Sequence, residues 1–449
     1  MGFKNDMLWG AATAAFQVEG AYDEEGRGLS VWDVFCERPD KIRNGDNGKV
    51  ACDHFHRYKE DVKLLKELGV NVYRFSVSWT RILPDGIGRI NKKGIEFYNN
   101  LIDELLSAGI TPFVTLFHWD YPYALYKKGG WLNSESPKWF GEFARVVAEN
   151  FGDRVKMFAT FNEPQMFMWG HSGGNSAPGI DLSPRELTEA GFNVLLAHGE
   201  AVRVLRECVP DCKVGCVICT GQPIPQNDAA CKLVTEKEMI AFPETGWVWN
   251  TQFWADAIYR GDVSEIKNFQ PMLKYLPDNY ETLLKEKICV PLDYCGINVY
   301  QGTYFKADEN GNITYSQIDS NTPKSALAWN ITPDVLYWCP KMMYKRYGLP
   351  IIVAENGMAC NDLISSDGAV HDPARIDFME KYIKELERSA EDGTEVAGYI
   401  AWSFMDNFEW TEGYWPRFGL VFVDYATQKR VQKDSFYFYR NYIESFKKH

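Results

Sequence analysis

Short apolar runs recur along the chain, separated by longer stretches in which apolar and polar positions mix. Eight of them have strand length: 8–12, 72–76, 111–117, 156–161, 214–219, 294–299, 351–354 and 396–402. Their continuous hydrophobicity predicts strands. The stretch 58–68 instead brings Tyr58, Val62, Leu65 and Leu68 to one face, which predicts a helix. Asp53 stands ahead of it as a cap and Gly69 follows as a stop signal.

Strand, helix, strand repeats eight times with no Pro/Ser-rich linker and no shift in composition. That order predicts the α/β class and one closed (β/α)8 TIM barrel, a single domain over residues 1–449. Three long segments, 120–133, 165–183 and 301–325, follow strands three, four and six. In such a barrel these loops build the active-site face. Asn310-Gly311, between Tyr304-Phe305 and the run 313–315, predicts a hairpin turn.

Composition narrows the partners. The chain has 449 residues, 45% hydrophobic and 24% charged, which excludes disorder and coiled coil. A net charge of −13 without a basic block argues against nucleic acid and anionic membranes, so a neutral small molecule fits better. No apolar run approaches the ~18 residues of a spanning helix. The amino end carries Lys4, Asp6 and Trp9 where a signal peptide would need an apolar core, and a cytoplasmic location is expected.

Eleven cysteines, an odd number scattered among apolar positions, suggest reduced thiols. Cys208, Cys212, Cys216 and Cys219 have the residue type for zinc, but Cys216 and Cys219 are three apart on a predicted strand and face opposite sides. His54 and His56 form another possible ligand pair, yet no further histidines end the later strands. No metal or cofactor is expected.

The polar residues ending the predicted strands are the candidates for chemistry. They are Gln17, His118, Asn162, Glu163, Asn298, Tyr300, Glu355 and, beyond the eighth strand, Glu409. Glu163 and Glu355 abut apolar runs, where partial burial raises a carboxyl pKa. Strands four and seven are three steps apart around an eight-membered ring, so their ends can converge across its mouth. Paired carboxylates there suit retaining glycoside hydrolysis, in which one attacks the anomeric carbon and a protonated one serves the leaving oxygen. Each alone would also suit a salt bridge. Aromatics crowd the same loops: Trp119, Tyr121, Tyr123, Trp131, Trp169, Trp329, Trp402, Trp410 and Trp415. Their flat rings suit the C–H faces of sugars, although about half are expected to be core.

Phe16 to Ala21, Tyr73 to Ser76, Phe117 to Asp120, Thr160 to Pro164, Glu355 to Gly357 and Trp402 to Trp410, in that order, resemble glycoside hydrolase family 1, the β-glucosidase family. The resemblance spans nearly the whole chain. It implies a retaining β-glucosidase with Glu163 as acid/base and Glu355 as nucleophile. It further implies that Gln17, His118, Asn162, Trp402, Glu409 and Trp410 hold the non-reducing sugar. Asn298 would support the acid, Arg74 and Tyr300 would hold Glu355, and Trp329 would wall the leaving-group site.

Tyr121, Tyr123, His171 and Ala354 depart from the family's commoner residues. The first three fall on loops after strands three and four, which bears on the leaving group rather than on the reaction. Two alternatives remain at this point. A 6-phospho-β-glycosidase would carry Ser, Lys and Tyr where this chain has Glu409, Pro416 and Phe418, with Arg417 the nearby cation. A sugar-binding pseudoenzyme would lack one of the two carboxylates, and both are present.

Overall fold

The structure is a computed structural model and describes residues 2–221, 223–316 and 321–448. Eight parallel strands close into a barrel: β1 Leu8–Ala12, β2 Val72–Ser76, β3 Thr111–Phe117, β4 Met157–Asn162, β5 Lys213–Cys219, β6 Tyr294–Asn298, β7 Ile351–Asn356 and β8 Val396–Trp402. Each pairs with its neighbours in sequence, and β8 pairs with β1 to complete the ring. All eight expected strands form. The ends shift by one or two residues, and the shifts matter at β4 and β7, where the strands extend to include Asn162 and Glu355.

Two apolar layers hold the barrel. Inside it, Ala12, Val72, Phe113, Ala159, Val217 and Ile352 form a compact core. Outside, the alternate strand residues, such as Tyr73, Val114, Phe158 and Val353, pack against the surrounding helices. This is the period-two alternation of a sheet covered on its outer face and filled within. The covering helices include His54–Leu68, Lys92–Ser107, Ser136–Phe151, Pro184–Cys208, Val335–Tyr347, Pro373–Glu391 and Asp434–Phe446.

The helix expected at 58–68 starts earlier, at His54, and ends at Gly69 with φ 78°, as a glycine stop requires. Asp53 precedes it but does not cap it. Its backbone is left-handed, and its carboxylate faces the side chains of His56 at 2.6 Å and Arg57 at 3.2 Å. His54 instead reaches Asp61 at 2.8 Å, a carboxylate that Arg430 also holds, so the two histidines point to separate acids. The 310–311 turn does join antiparallel strands, Thr303–Ala307 and Ile313–Tyr315, with a five-residue connection rather than a two-residue one. Residues 317–320 of the expected 301–325 loop lie outside the described residues.

Pairing is irregular near the upper rim. The register slips between Ala159 and Asn162 where β4 meets β5, and between Val353 and Glu355 where β7 meets β6; β7 also slips against β8 between Val353 and Asn356. Such slips re-aim side chains. Ala354 fills the barrel core while its neighbour Glu355 lines the cavity above, which an unbroken two-residue alternation would forbid.

Candidate active site

A cavity of about 480 Å³ opens at the carboxyl ends of the strands, where this architecture places its chemistry. Glu163 and Glu355 both line it. Glu163 takes a left-handed backbone, φ 48°, immediately before Pro164 starts a short helix, Pro164–Trp169. Its N–H donates to the Val217 carbonyl at 2.8 Å, which holds this unusual conformation against β5. Trp119 and Trp410, also at the cavity, have φ of 76° and 53°.

The two carboxylates have different surroundings. Arg74 Nη1 donates to Glu355 Oε1 at 2.6 Å, and the Tyr300 hydroxyl donates to Oε2 at 2.7 Å. Both oxygens of Glu355 are therefore held by donors. Glu163 receives one amide bond, Asn298 Nδ2 to Oε1 at 2.7 Å, with the neutral Cys219 thiol beside it. Burial, reinforced by the charge of Glu355, pushes Glu163 up to about 8; the Asn298 bond and Arg74 oppose the shift but do not cancel it. Burial, with the charges of Glu355 and Glu163 beside it, raises the half-buried Tyr300 phenol well above its ordinary value, and it stays a donor.

Asn162 couples the two halves. Its Oδ1 accepts from Arg74 Nη2 at 2.7 Å and from Asn298 Nδ2 at 3.0 Å, which fixes the amide orientation and leaves Nδ2 facing His118 Nε2 at 3.1 Å. Burial, with Arg74 nearby, holds His118 well below its ordinary pKa, so the ring is neutral. With Nε2 accepting, Nδ1 carries the hydrogen as a buried donor without a protein partner. The imidazole lies near-parallel to Trp402 and Trp410, with centroids 5.9 and 6.0 Å away.

Glu409 lines the same cavity. Gln17 Nε2 reaches its Oε2 at 3.3 Å while also donating to the Phe408 carbonyl and to Asn407 Oδ1, both at 2.9 Å. Burial, then the charges of Glu355 and Glu163, push Glu409 up to about 8 as well. Four carboxyls, these three and Glu412, thus line one cavity, with Arg74 behind Glu355.

The family model for glycosyl hydrolase family 1 matches residues 1–448. The chain belongs to this family. It is 44% identical to β-glucosidase A of Thermotoga maritima over 99% of this chain and 98% of that protein. It is 38% identical to β-glucosidase A of Acetivibrio thermocellus, again over 99% and 98% of the two chains. Among solved structures, the Thermotoga maritima β-glucosidase in complex with glucoimidazole superposes with a TM-score of 0.89 at 42% identity, over 99% of both chains.

Of the residues that the resemblance to family 1 singled out, His118, Glu163, Tyr300, Trp329, Glu355, Trp402, Glu409 and Trp410 face the cavity. Arg74, Gln17, Asn162 and Asn298 stand one layer behind it, each fully or almost fully buried and each bonded to a residue in front. Gln17 Oε1 and Asn298 Oδ1 have no hydrogen-bond partner among the described residues. Trp329 stands against Tyr300 and Phe418, with centroids 5.3 and 6.0 Å away.

The aromatic loops divide as their number suggested. Trp119, Trp169, Trp329, Trp402 and Trp410 reach the cavity, whereas Tyr121 and Trp131 pack on Phe117 behind the wall and Trp415 lies under Arg43 at the surface. His171 is also buried behind it, with Nδ1 on the Phe167 carbonyl at 2.8 Å. Neither Tyr121 nor His171 lines the cavity itself. Sequence reasoning missed Trp32, Met166, Cys219 and Trp249, all at the cavity. Met166 and Cys219 carried a positional signal, being three residues past Glu163 and the last residue of β5. Trp249 carried none, because it lies far beyond any strand end.

Among the described residues, no group of three His, Cys, Asp or Glu side chains is arranged to hold a metal. All eleven cysteines are free thiols. Among the described residues, no helix is long and apolar enough to cross a membrane.

Proposed function

We propose that this chain is a retaining β-glucosidase that releases unphosphorylated β-D-glucosyl units from the non-reducing end by double displacement. The observation that carries this reading is the contrast between its two carboxyls. Glu355 is held by a guanidinium and a phenol, whereas Glu163 is buried with one amide donor and pushed up to about 8. One is set to attack as an anion and the other to give a proton at neutral pH. The relatives named β-glucosidase support the sugar class.

In the first half-reaction Glu355 attacks the anomeric carbon as Glu163 protonates the departing oxygen. Esterification then removes the negative charge of Glu355, and with it one of the causes that raise Glu163. Glu163 ionises more readily and takes a proton from the incoming water. Behind the reacting atoms, Asn162 is set to face the sugar 2-hydroxyl, a bond that strengthens in the transition state. His118 and Glu409 hold the remaining hydroxyls against Trp402 and Trp410.

Arg417 argues against a phosphorylated sugar. Its Nη1 donates to Asp406 Oδ2 at 2.6 Å and to the Val423 carbonyl at 2.9 Å, and its guanidinium lies over Phe422 at 3.9 Å. It is committed away from the cavity. Glu409 lines the cavity instead and would repel a phosphate when ionised. Residues 1–449 are read as one catalytic domain, and the eleven free thiols support a reducing, cytoplasmic compartment.

A 2-deoxy-2-fluoroglucoside with a good leaving group tests the reading. It is expected to inactivate the protein by labelling Glu355, and nuclear magnetic resonance on an ordinary substrate should show the β-anomer first. A label on another residue, or the α-anomer as first product, would overturn it.

A further inference from the structure

Beyond Trp329, the cavity has a second aromatic surface. Trp169 and Trp249 both line it and meet with ring centroids 5.6 Å apart and planes at 56°. Trp169 ends the short helix that begins directly after Glu163, so this surface lies on the side where the acid meets the leaving oxygen. Glu409, Trp402 and Trp410, which line the same cavity, are the residues proposed to hold the sugar being transferred.

Both indoles are fixed by their surroundings. The Trp169 carbonyl accepts from the N–H groups of Ser172 and Gly174, both at 3.0 Å, and from the Ser172 hydroxyl at 3.1 Å. A side-chain carbon at Gly174 would lie 2.3 Å from the Trp169 ring, so the loop folds closely onto that indole. Trp249 sits between buried neighbours: Trp247 packs into Phe253, Trp254 and Phe269, the Val248 carbonyl accepts from the Trp254 ring at 2.9 Å, and Asn250 caps the helix Thr251–Tyr259. The backbone is anchored on both sides. Yet Trp249 itself is 40% exposed, and among the described residues only one other tryptophan, Trp415, is exposed to a similar degree.

An anchored, exposed indole at a cavity rim is a poor contribution to folding and a good one to recognition. Asn175 and Gln301, polar and also at the rim, supply amides beside the rings. Apolar faces bordered by amide groups match the surface of a pyranose, whose C–H face is flat and whose edge is ringed by hydroxyls.

We propose that Trp169 and Trp249 form an outer subsite that stacks the second sugar of a β-linked oligosaccharide leaving group. The first sugar of that group would rest on Trp329, nearer the acid. This deepens the β-glucosidase reading and rests on it. It assigns the protein to the shortening of soluble β-glucan oligomers rather than to disaccharides alone. Cellobiose is too short to reach the outer subsite, whereas cellotriose and cellotetraose are long enough.

The test compares kcat/KM on cellobiose, cellotriose and cellotetraose for the wild type, Trp249→Ala and Trp249→Phe. For the wild type, efficiency should rise from the disaccharide to the trisaccharide. Trp249→Ala should lower the trisaccharide-to-disaccharide ratio about five- to tenfold, mostly through KM, as expected for loss of one stacking ring. Trp249→Phe should retain most of that ratio, which a general loss of structure would not allow. An unchanged ratio in Trp249→Ala, or an equal loss on both substrates, would overturn the outer subsite while leaving the β-glucosidase reading intact. A wild type that hydrolyses neither nitrophenyl β-glucoside nor any of the oligosaccharides would overturn both.

Discussion

Arg74 on β2 and Glu355 on β7 meet across the mouth of the barrel, Nη1 to Oε1 at 2.6 Å, with both side chains almost fully buried. The same guanidinium also donates from Nε to Thr115 Oγ1 at 3.1 Å, from Nη1 to the Ala354 carbonyl at 3.2 Å and from Nη2 to Asn162 Oδ1 at 2.7 Å. One planar fork therefore positions Glu355, the proposed nucleophile, and Asn162, the amide proposed to meet the 2-hydroxyl, together. A lysine could supply the charge but not the fork. Arg74→Lys is expected to fold and to lose about 100-fold or more in kcat. Arg74→Met, which leaves a buried carboxylate unpaired, should also cost about 3–5 kcal/mol of stability. Steady-state kinetics and urea unfolding of the two variants check this, and near-wild-type kcat in Arg74→Lys would contradict it.

Glu163, pushed up to about 8, is the proposed acid of the first step and in that role has to be protonated. The expected consequence is a kcat/KM that falls as pH rises through about 8, because the acid form is then lost. Glu163→Gln cannot lose a proton and should abolish that limb. Glu163→Ala should slow substrates with poor leaving groups by about 10²–10⁴-fold and nitrophenyl substrates far less at the first step. Added azide should speed its turnover by replacing the water that needs a base. A basic limb that survives in Glu163→Gln would assign the titration to another group.

The barrel was legible because each strand is a short apolar run between amphipathic stretches. The residues at the strand ends were legible because this architecture concentrates polar side chains there. Glu163 and Glu355 could be named from position, but their aim could not: it depends on register slips after Ala159 and Val353. Those slips come from neighbouring strands, and no local pattern records them. Arg74 was readable only through resemblance, since an arginine within a strand of five buried residues contradicts its surroundings until its partners are seen. Asp53 had the residue type of a cap but a left-handed backbone, so its side chain turned to His56 and Arg57 instead. Trp249 was illegible because tertiary folding alone brings its segment over the cavity.

A buried charge network ties the loops after β7 and β8 to the last helix. Lys433 donates to Asp362 at 2.5 Å and to Asp406 at 2.6 Å, Arg375 donates to Asp362 at 2.7 Å and also pairs with Asp372, and Arg417 completes Asp406. Burial works to raise the Asp362 carboxyl, but Arg375 and Lys433 outweigh it and hold it below its ordinary value. A carboxyl with a depressed folded-state pKa adds stability that is present above the unfolded value, about 4, and is lost as pH falls through the folded one. Lys433→Met should therefore cost about 3–5 kcal/mol at pH 7. The melting-temperature gap between wild type and Asp362→Asn should narrow below about pH 4. A gap that stays constant from pH 7 to pH 3 would show that Asp362 does not carry this linkage.

Glu409 offers a test of how the transferred sugar is held. Without a ligand its carboxyl is pushed up to about 8 by burial and by Glu355 and Glu163, so at pH 7 it is mostly protonated. Gln17 supplies only a longer bond of 3.3 Å to it. Two sugar hydroxyls donating to this group would favour the ionised form and lower its pKa. Binding an uncharged glucose analogue at pH 7 should therefore release close to one proton, and affinity should rise with pH up to about 8. Titration calorimetry in buffers of different ionisation enthalpy measures the release directly. Glu409→Gln should abolish it and weaken binding, because the amide accepts through one oxygen only. A 6-phosphate on the sugar reverses the sign of the interaction, since its negative charge opposes ionisation of Glu409 and the lining residues include no lysine or arginine among those described. Nitrophenyl β-glucoside is therefore expected to be turned over with a higher kcat/KM than its 6-phosphate. A buffer-independent binding enthalpy, or a preference for the phosphorylated substrate, would refute this account of Glu409.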